Sequence, residues 1–262
     1  IMCFGDSIRI GIKGSSFYTY EWFDVNNNKA GDGDRIYVQP TITLEYYQQA
    51  TDNRTGCVNN DTLEVQVGQK PTINAGTDQT ICDGTEVTLG SASIAGNSYD
   101  WVSTGSFSSN QSQPMVSPST STSYILTQTV DSTACSATDT VTLTVNSSPN
   151  AEIIGDSATC EGTELSYSTI GATGNTYSWT VTNASIKSNN GDNGRNISFP
   201  NTGTAQVQVI ESNSFNCTDT SVVLVSVNAK PIAEMSISGN CEGVEIDFED
   251  ISTDGEKRTW DF

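Results

Sequence analysis

The stretch Cys82-Asp-Gly-Thr-Glu-Val-Thr-Leu89, followed ten residues later by Tyr99-Asp-Trp101, decides the fold of this chain. A glycine two residues after the cysteine permits a tight turn, and the apolar residues after it alternate with polar ones. Alternation with a period of two predicts a strand with one buried face, and the Tyr-x-Trp run predicts a second strand that places a large ring in a core.

The stretch recurs along the chain at a fixed spacing. Four cysteines, which we call the early cysteines, each precede a tryptophan by 19 residues: Cys3 and Trp22, Cys82 and Trp101, Cys160 and Trp179, Cys241 and Trp260. Three late cysteines each precede a proline by 14 residues: Cys57 and Pro71, Cys135 and Pro149, Cys217 and Pro231. Successive early cysteines are 79, 78 and 81 residues apart, so the chain consists of repeats of roughly 80 residues.

Each repeat is predicted to be a β-sandwich. Six or seven short strands fit into 80 residues, no segment shows a helical period, and Thr, Ser, Asn and Gly are abundant. The tryptophans Trp22, Trp101, Trp179 and Trp260 occupy one fixed position per repeat, which predicts core packing for all four. A proline near each junction blocks continued strand pairing and stiffens the link between repeats.

The repeats resemble a known group of modules. The run Ala75-Gly-Thr-Asp-Gln-Thr-Ile-Cys82-Asp-Gly, the Tyr-x-Trp strand and the Thr-Val-Thr-Leu-Thr-Val ending are similar to the Ig-like and PKD-like repeats of giant Bacteroidetes cell-surface proteins. The last unit, with Trp260-Asp-Phe262, is closest to the PKD pattern. The resemblance implies an all-β chain of tandem immunoglobulin-like (PKD-like) β-sandwich domains in a linear array.

The predicted domains follow from the repeat and the resemblance. They are an Ig-like repeat lacking its first strand (1–69), two further Ig-like repeats (70–147 and 148–229) and a partial, truncated PKD-like repeat (230–262). The sequence further predicts that the natural chain continues in both directions, with a Gly-Asp-Gly or Gly-Asn-Gly turn after Phe262 and a proline 10 or 11 residues before Cys3.

The resemblance also implies a function. Proteins with such repeats are similar to gliding-motility and adhesion filaments that leave the cell by type 9 secretion and stand on the outer membrane. The expected role is therefore a stalk and spacer in an extracellular cell-surface filament protein. Its expected partners are neighbouring repeats of the same chain, surface glycans, and the secretion or motility machinery. The alternative is an accessory stalk of a secreted polysaccharide hydrolase or protease.

Composition argues against several other classes of function. The net charge is −20, from 11 basic and 31 acidic residues, which repels phosphate backbones and anionic lipid surfaces. We therefore expect no nucleic-acid partner and, since no apolar run approaches 20 residues, no membrane insertion. The chain has no histidine, so a Ser-His-Asp triad and His-containing metal sites are excluded, and we expect neither an enzyme nor a cofactor.

One loop carries oxygen ligands at a spacing that suits calcium. Asp24, Asp32 and Asp34 lie in an Asn- and Gly-rich loop. Lys29 within the loop and the lack of a bidentate glutamate count against a metal, and turn chemistry accounts for the loop without one. The Asn- and Gly-rich loop around Asp192 is a poorer candidate of the same kind. We expect no metal at either loop.

The cysteines can pair in two ways. They pair within a repeat (Cys3 with Cys57, Cys82 with Cys135, Cys160 with Cys217) or across a junction (Cys57 with Cys82, Cys135 with Cys160, Cys217 with Cys241). If six strands alternate in direction, the turns that carry the early and late cysteines of one repeat lie at the same end of the sandwich. This geometry favours pairing within a repeat.

Overall fold

The computed structural model describes residues 1–238 and 247–253. The described residues form strands, turns and irregular segments, and none of them lies in a helix. The chain divides into two compact units, Ile1–Val145 and Asn146–Phe262. The first unit contains the first and second repeats, and the second unit contains the third.

The first repeat is built from eight strands around one core. They are β1 (Met2–Cys3), β2 (Ile8–Gly11), β3 (Tyr18–Asp24), β4 (Lys29–Asp32), β5 (Arg35–Val38), β6 (Leu44–Asp52), β7 (Val58–Val65) and β8 (Val67–Gly68). One sheet has the order β4-β3-β6-β7, the second is the pair β2-β5, and β1 pairs with β8. Residues of both sheets meet in a core that contains Ile10, Trp22, Ile36 and Tyr46.

The second repeat completes the first unit with seven strands. They are β9 (Gln79–Cys82), β10 (Val87–Thr88), β11 (Asn97–Ser103), β12 (Ser108–Ser109), β13 (Met115–Val116), β14 (Thr122–Val130) and β15 (Cys135–Asn146). One sheet has the order β12-β11-β14-β15-β9, and β10 pairs with β13 on the other side of the core. Trp101, Leu126 and Val141 lie in this core, together with Ala75 from the segment before β9.

The third repeat, in the second unit, has two four-stranded sheets. Its strands are β16 (Ile153–Ile154), β17 (Ala158–Cys160), β18 (Thr163–Thr169), β19 (Thr176–Thr182), β20 (Ser185–Asn189), β21 (Gly194–Phe199), β22 (Gly203–Ser212) and β23 (Thr218–Asn228). The sheet orders are β16-β18-β21-β20 and β17-β23-β22-β19. Tyr167, Trp179 and Phe199 pack between the two sheets.

Two short strands follow the third repeat, β24 (Met235–Ser238) and β25 (Asp247–Asp250), and they pair antiparallel. Cys241 and Trp260, on which the fourth predicted repeat was based, lie outside the described residues. The limits of the four predicted repeats stay predictions. We keep the names first, second and third repeat for residues 1–69, 70–147 and 148–229.

The direction of one strand pairing determines where the cysteines lie. In the first and third repeats, the strand that carries the early cysteine runs parallel to a strand at the end of the repeat, β1 to β8 and β17 to β23, with Cys3 opposite Gly68 and Cys160 opposite Asn228. Cys57 lies just before β7, which leads directly into β8, and Cys217 lies just before β23. The two cysteines of one repeat therefore lie at opposite ends of a strand.

Candidate functional site: the junction between the first two repeats

A disulfide crosses the junction between the first and second repeats. Cys3, the early cysteine of the first repeat, is bonded to Cys135, the late cysteine of the second, with the two Cα atoms 5.5 Å apart and 132 residues apart in sequence. Cys135 is fully buried. The bridge therefore joins the part of the first sandwich that lies beside Gly68 covalently to the facing part of the second sandwich.

This bridge corrects both predicted pairings. Pairing within a repeat requires a bond from Cys3 to Cys57, and the predicted pairing across a junction requires a bond from Cys135 to Cys160. Neither bond forms, because Cys3 and Cys135 are bonded to each other. Cys57 and Cys160, both expected to be in disulfides, carry free thiols in the described structure. Cys82, the early cysteine of the second repeat, and Cys217, the late cysteine of the third, are each disulfide-bonded.

The physical reason for the error is the strand direction. Because β1 runs parallel to β8, Cys3 lies beside Gly68, whereas Cys57 precedes β7 by one residue. Cys57 and Gly68 are 11 residues apart along nearly continuous strand, which is about 35 Å at roughly 3.3 Å per residue. A disulfide needs Cα atoms within about 7 Å, so pairing within the repeat is out of reach.

Gly68 lets the two repeats approach closely at the bridge. A Cβ added at Gly68 would lie 2.8 Å from Cβ of Thr133 and 2.9 Å from Sγ of Cys135. Contacts that close do not occur between real side chains, so residue 68 is glycine because the turn before β15 packs directly on the backbone of β8. The sequence gives no direct signal for this role, since Gly68 looks like an ordinary linker glycine.

An ion pair supports the same junction from the surface. The Lys70 ammonium lies 3.0 Å from an Asp6 carboxylate oxygen. Both side chains are about half exposed, so solvent screens the attraction and its contribution to stability is small. Its effect is to restrict the path of the linker that leads into the second repeat.

The three aspartates predicted as calcium candidates each have hydrogen-bond or ion-pair partners nearby, and they do not surround a common site. The Asp24 carboxylate accepts hydrogen bonds from the side chain and backbone N–H of Asn28 and from the backbone N–H of Asn26. The Asn28 side chain, followed by the backbone N–H groups, lowers the pKa of Asp24 below its usual value. In the described residues, no group of three or more acidic, cysteine or histidine side chains is arranged to hold a metal.

The other two candidates have separate partners. Asp32 pairs with Lys29 at 2.7 Å, and this pairing raises the pKa of Lys29. Asp34 accepts the backbone N–H of Gly14 at 2.8 Å, which lowers its pKa, with a further contribution from Arg35. The loop is thus held by its own charges and amides. Asp192 of the poorer candidate loop belongs to no metal-holding group of the described residues either.

The tryptophans of the three repeats lie in the cores. Trp22, Trp101 and Trp179 are each at most 8% exposed. The indole N–H of Trp22 donates to the Gly33 carbonyl, and that of Trp101 donates to the Gln111 carbonyl. Both bonds fix the ring to the loop that closes the sandwich, so these rings are not surface platforms for sugar binding.

Two structural carboxylates, one in the second repeat and one in the third, were not recognised from the sequence. Asp139 accepts the backbone N–H of Ala75 at 2.8 Å, and Asp219 accepts that of Ala151 at the same distance. Each bond joins the last strand of a repeat to the segment that opens the same repeat. The recurrence of an Asp-Thr pair early in each last strand was the available signal, and the first repeat has it at Asp61.

The comparisons with known proteins concern the fold. No family model matches the sequence, and no curated protein matches it. Among solved structures, a three-domain fragment of titin matches with a TM-score of 0.39 and 14% identity over 87% of this chain and 94% of that chain. At TM-scores below 0.5, such matches do not bear on what this chain does.

Two further matches have the same character. Three N-terminal domains of the outer capsid protein Hoc of bacteriophage RB49 match with a TM-score of 0.33 and 12% identity, over 87% of this chain and 96% of that chain. Extracellular domains 3–5 of Drosophila OTK match with a TM-score of 0.33 and 10% identity, over 87% of this chain and 93% of that chain. Each of the three described repeats is a sandwich of two sheets with a buried tryptophan, and the repeats follow one another along the chain. The described residues therefore form tandem immunoglobulin-like β-sandwich domains.

Within the part of the chain that the structure describes, no helix has the length and apolarity that a membrane crossing requires.

Proposed function

We propose that this chain is a structural and adhesive segment of a large secreted cell-surface filament protein, in which the repeats act as stalk and spacer for surface adhesion or gliding motility. The observation that carries the proposal is the Cys3–Cys135 bridge. A spacer must keep its domains at a fixed separation, and a disulfide at the junction restricts bending in a way that a proline linker alone does not.

The same bridge supports an extracellular location. Disulfides persist in oxidising compartments and are rare in the cytosol. The acidic composition suits a long, solvated surface, and the absence of histidine from the sequence removes the commonest catalytic base. These features favour a mechanical role over a catalytic one.

The spacer role is tested by the distance between the first two repeats. Spin labels attached without cysteine chemistry at Ser16 and Ser93, both exposed, report this distance by pulsed electron paramagnetic resonance. We expect a narrow distribution for the native chain and a broad one for the double variant Cys3→Ser, Cys135→Ser. The matched control is Cys57→Ser, which removes a cysteine without touching the bridge.

Two outcomes decide the proposal. A native distribution as broad as that of the double variant contradicts a spacer role.

For the location, antibodies against this chain should label intact cells of the source organism, and brief protease treatment of intact cells should remove the label. Labelling that requires permeabilised cells contradicts a surface filament.

A further inference from the structure

The third repeat differs from the first two in the strand that follows the one carrying the tryptophan. In the first and second repeats the following strand pairs with the tryptophan strand itself, with Trp22 opposite Gly31 and Trp101 opposite Ser109. In the third repeat the following strand is β20, and it pairs with β21 of the other sheet. β19, which carries Trp179, therefore has β22 on one side and, within the described residues, no strand on the other.

The turn after β19 directs the chain away from this edge. Asn183 has a positive φ of 55°, and its side-chain amide donates to the carbonyls of Thr202 and Thr204, both at 3.5 Å. These contacts hold the turn against the start of β22. β20 then runs along β21 and does not fold back along β19, so the outer edge of β19 keeps backbone groups that no strand of the described chain pairs.

The free edge of β19 lacks the features that commonly protect sheet edges, which are short length, charged side chains and bulges. Three edge strands of the described residues are longer than four residues: β7, β19 and β20. β7 carries Asp61 and Glu64, and β20 carries Lys187 at a break in its register. β19, with the sequence Thr-Tyr-Ser-Trp-Thr-Val-Thr, has no charged residue and a continuous register with β22.

The sequence of β19 is self-complementary. Its odd-numbered side chains face the core, with Tyr177 and Val181 half-buried and Trp179 8% exposed, whereas its even-numbered side chains are all exposed hydroxyls. If a second β19 lies antiparallel to the first with Trp179 as the midpoint, apolar side chains meet apolar ones and hydroxyls meet hydroxyls. Cross-strand pairs of these kinds stabilise antiparallel sheets. The pairs are Thr176 with Thr182, Tyr177 with Val181, and Ser178 with Thr180.

We propose that the free edge of β19 binds the same edge of a second copy of this chain, antiparallel and with the two Trp179 residues opposite each other. The pairing joins two four-stranded sheets into one sheet of eight strands. Because both copies use the same surface, the contact is twofold symmetric and closes as a dimer. The inference goes beyond the proposed spacer role, since it concerns contact between two chains and not the length of one.

Charge favours this edge as the place where two copies meet. The net charge of −20 makes copies repel each other over most of their surface, whereas β19 is uncharged along its full length. One pair of strand edges buries less area than a permanent interface does, so the dimer is weak. It forms where the local concentration is high, as it is when many copies are displayed together.

The first test measures dimerisation of the full chain by sedimentation velocity over a range of concentrations. All chains carry Cys57→Ser and Cys160→Ser, so that free thiols cannot link two copies. Salt at about 0.15 M screens the repulsion between the acidic surfaces. We expect reversible dimerisation of the otherwise native chain, and at least tenfold weaker dimerisation when Ser178→Lys and Thr180→Lys are added, because like charges then face each other across the contact.

Two further chains separate loss of the contact from loss of folding. The matched control, Thr220→Lys with Ser226→Lys, places the same charges on β23, which has strands on both sides, and should dimerise as the native chain does. A chain with Ser178→Glu and Thr180→Glu should dimerise weakly alone but pair with the lysine variant when the two are mixed, since opposite charges then meet. An unfolded variant does not recover in this way.

Hydrogen exchange locates the contact. Backbone amides of β19 should exchange at least tenfold more slowly where the native chain is mostly dimer than where it is mostly monomer, while those of β23 should not change. The inference is overturned if the native chain stays monomeric at every concentration, or if the two lysines in β19 leave dimerisation unchanged. It is equally overturned if the oppositely charged chains do not pair when mixed, or if exchange in β19 does not depend on concentration.

Discussion

The last strand is buried in the second repeat and exposed in the first. β15 turns Val141 and Leu143 into the core with no exposed surface, whereas β7 buries Val65 alone and leaves its other seven residues exposed. The two strands have the same Asp-Thr start and both pair on one side with the preceding long strand. The segment that opens the second repeat, residues 72–78, covers β15 through hydrogen bonds of Ala75 with Asp139 and of Asp78 with Thr142, whereas the corresponding positions of the first repeat fall before Ile1. In the second repeat this segment contributes Ala75 to the core around Trp101.

The largest expected effect comes from removing the bridge, because it joins the first repeat covalently to the second. The bridged cysteines are 132 residues apart, for which the chain-entropy model gives about 5 kcal/mol. In the variant Cys3→Ser, Cys135→Ser, we expect the first repeat to melt in a separate transition at lower temperature than the second. Differential scanning calorimetry resolves the two transitions. A variant that melts like the Cys57→Ser control shows that the bridge adds no stability.

Because β15 is buried and β7 is exposed, shortening a side chain in β15 should lower the free energy of unfolding more than shortening one in β7. Val141→Ala removes two fully buried methyl groups and should lower the free energy of unfolding by about 2 kcal/mol. Leu63→Ala removes a larger but exposed side chain and should cost less than about 0.5 kcal/mol. Urea unfolding followed by circular dichroism gives both values. Equal costs would mean that β7 is covered in solution.

The turn before each late cysteine offers a reciprocal test. Residue 56 is Gly and residue 134 is Ala, and both have positive φ, 71° and 59°. L-residues pay about 1 kcal/mol in this conformation, which glycine does not. We expect Ala134→Gly to raise the free energy of unfolding by about 0.5 to 1 kcal/mol and Gly56→Ala to lower it by a similar amount, measured in urea. If both substitutions change the free energy of unfolding in the same direction, the two turns do not share one backbone conformation.

The smallest effect concerns acid. Hydrogen bonds to the carboxylates lower the pKa of Asp24, Asp34 and Asp52, all in the first repeat, and for Asp52 the largest cause is the backbone N–H of Arg54. A carboxyl group with a lowered pKa in the folded state stabilises it above its unfolded pKa, and this stabilisation is lost as the pH falls through the folded value. The melting temperature of the first repeat should therefore fall below about pH 4. Asp24→Asn should reduce this fall, while Asp100→Asn should not change it.

The sequence was sufficient to predict the sandwich cores. The 19-residue spacing from early cysteine to tryptophan and the period-two alternation around Trp22, Trp101 and Trp179 are local patterns, and local patterns decide which face of a strand is buried. The class of the fold, an all-β chain of tandem Ig-like sandwiches, is confirmed by the structure. The adhesive role, the source and the domain limits stay predictions.

The pairing of the cysteines could not be predicted in the same way. Spacing shows that Cys3 and Cys57 recur, but not that β1 runs parallel to β8, since direction in a sheet depends on contacts between residues far apart in sequence. The assumption of strictly alternating strands placed both cysteines at one end of the sandwich. The role of Gly68 was missed for a related reason, because it depends on Thr133 of the next repeat.

The Cys3–Cys135 bridge also changes what a protease can do to this chain. It closes residues 3–135 into a covalent ring, so a single cut anywhere inside the ring leaves both fragments joined. Arg54, whose side chain is 75% exposed in the turn before β7, is a natural point for such a cut by a trypsin-like enzyme. A nicked molecule would keep its two ends connected until its disulfide was reduced, and only two cuts within the ring would release a piece of it.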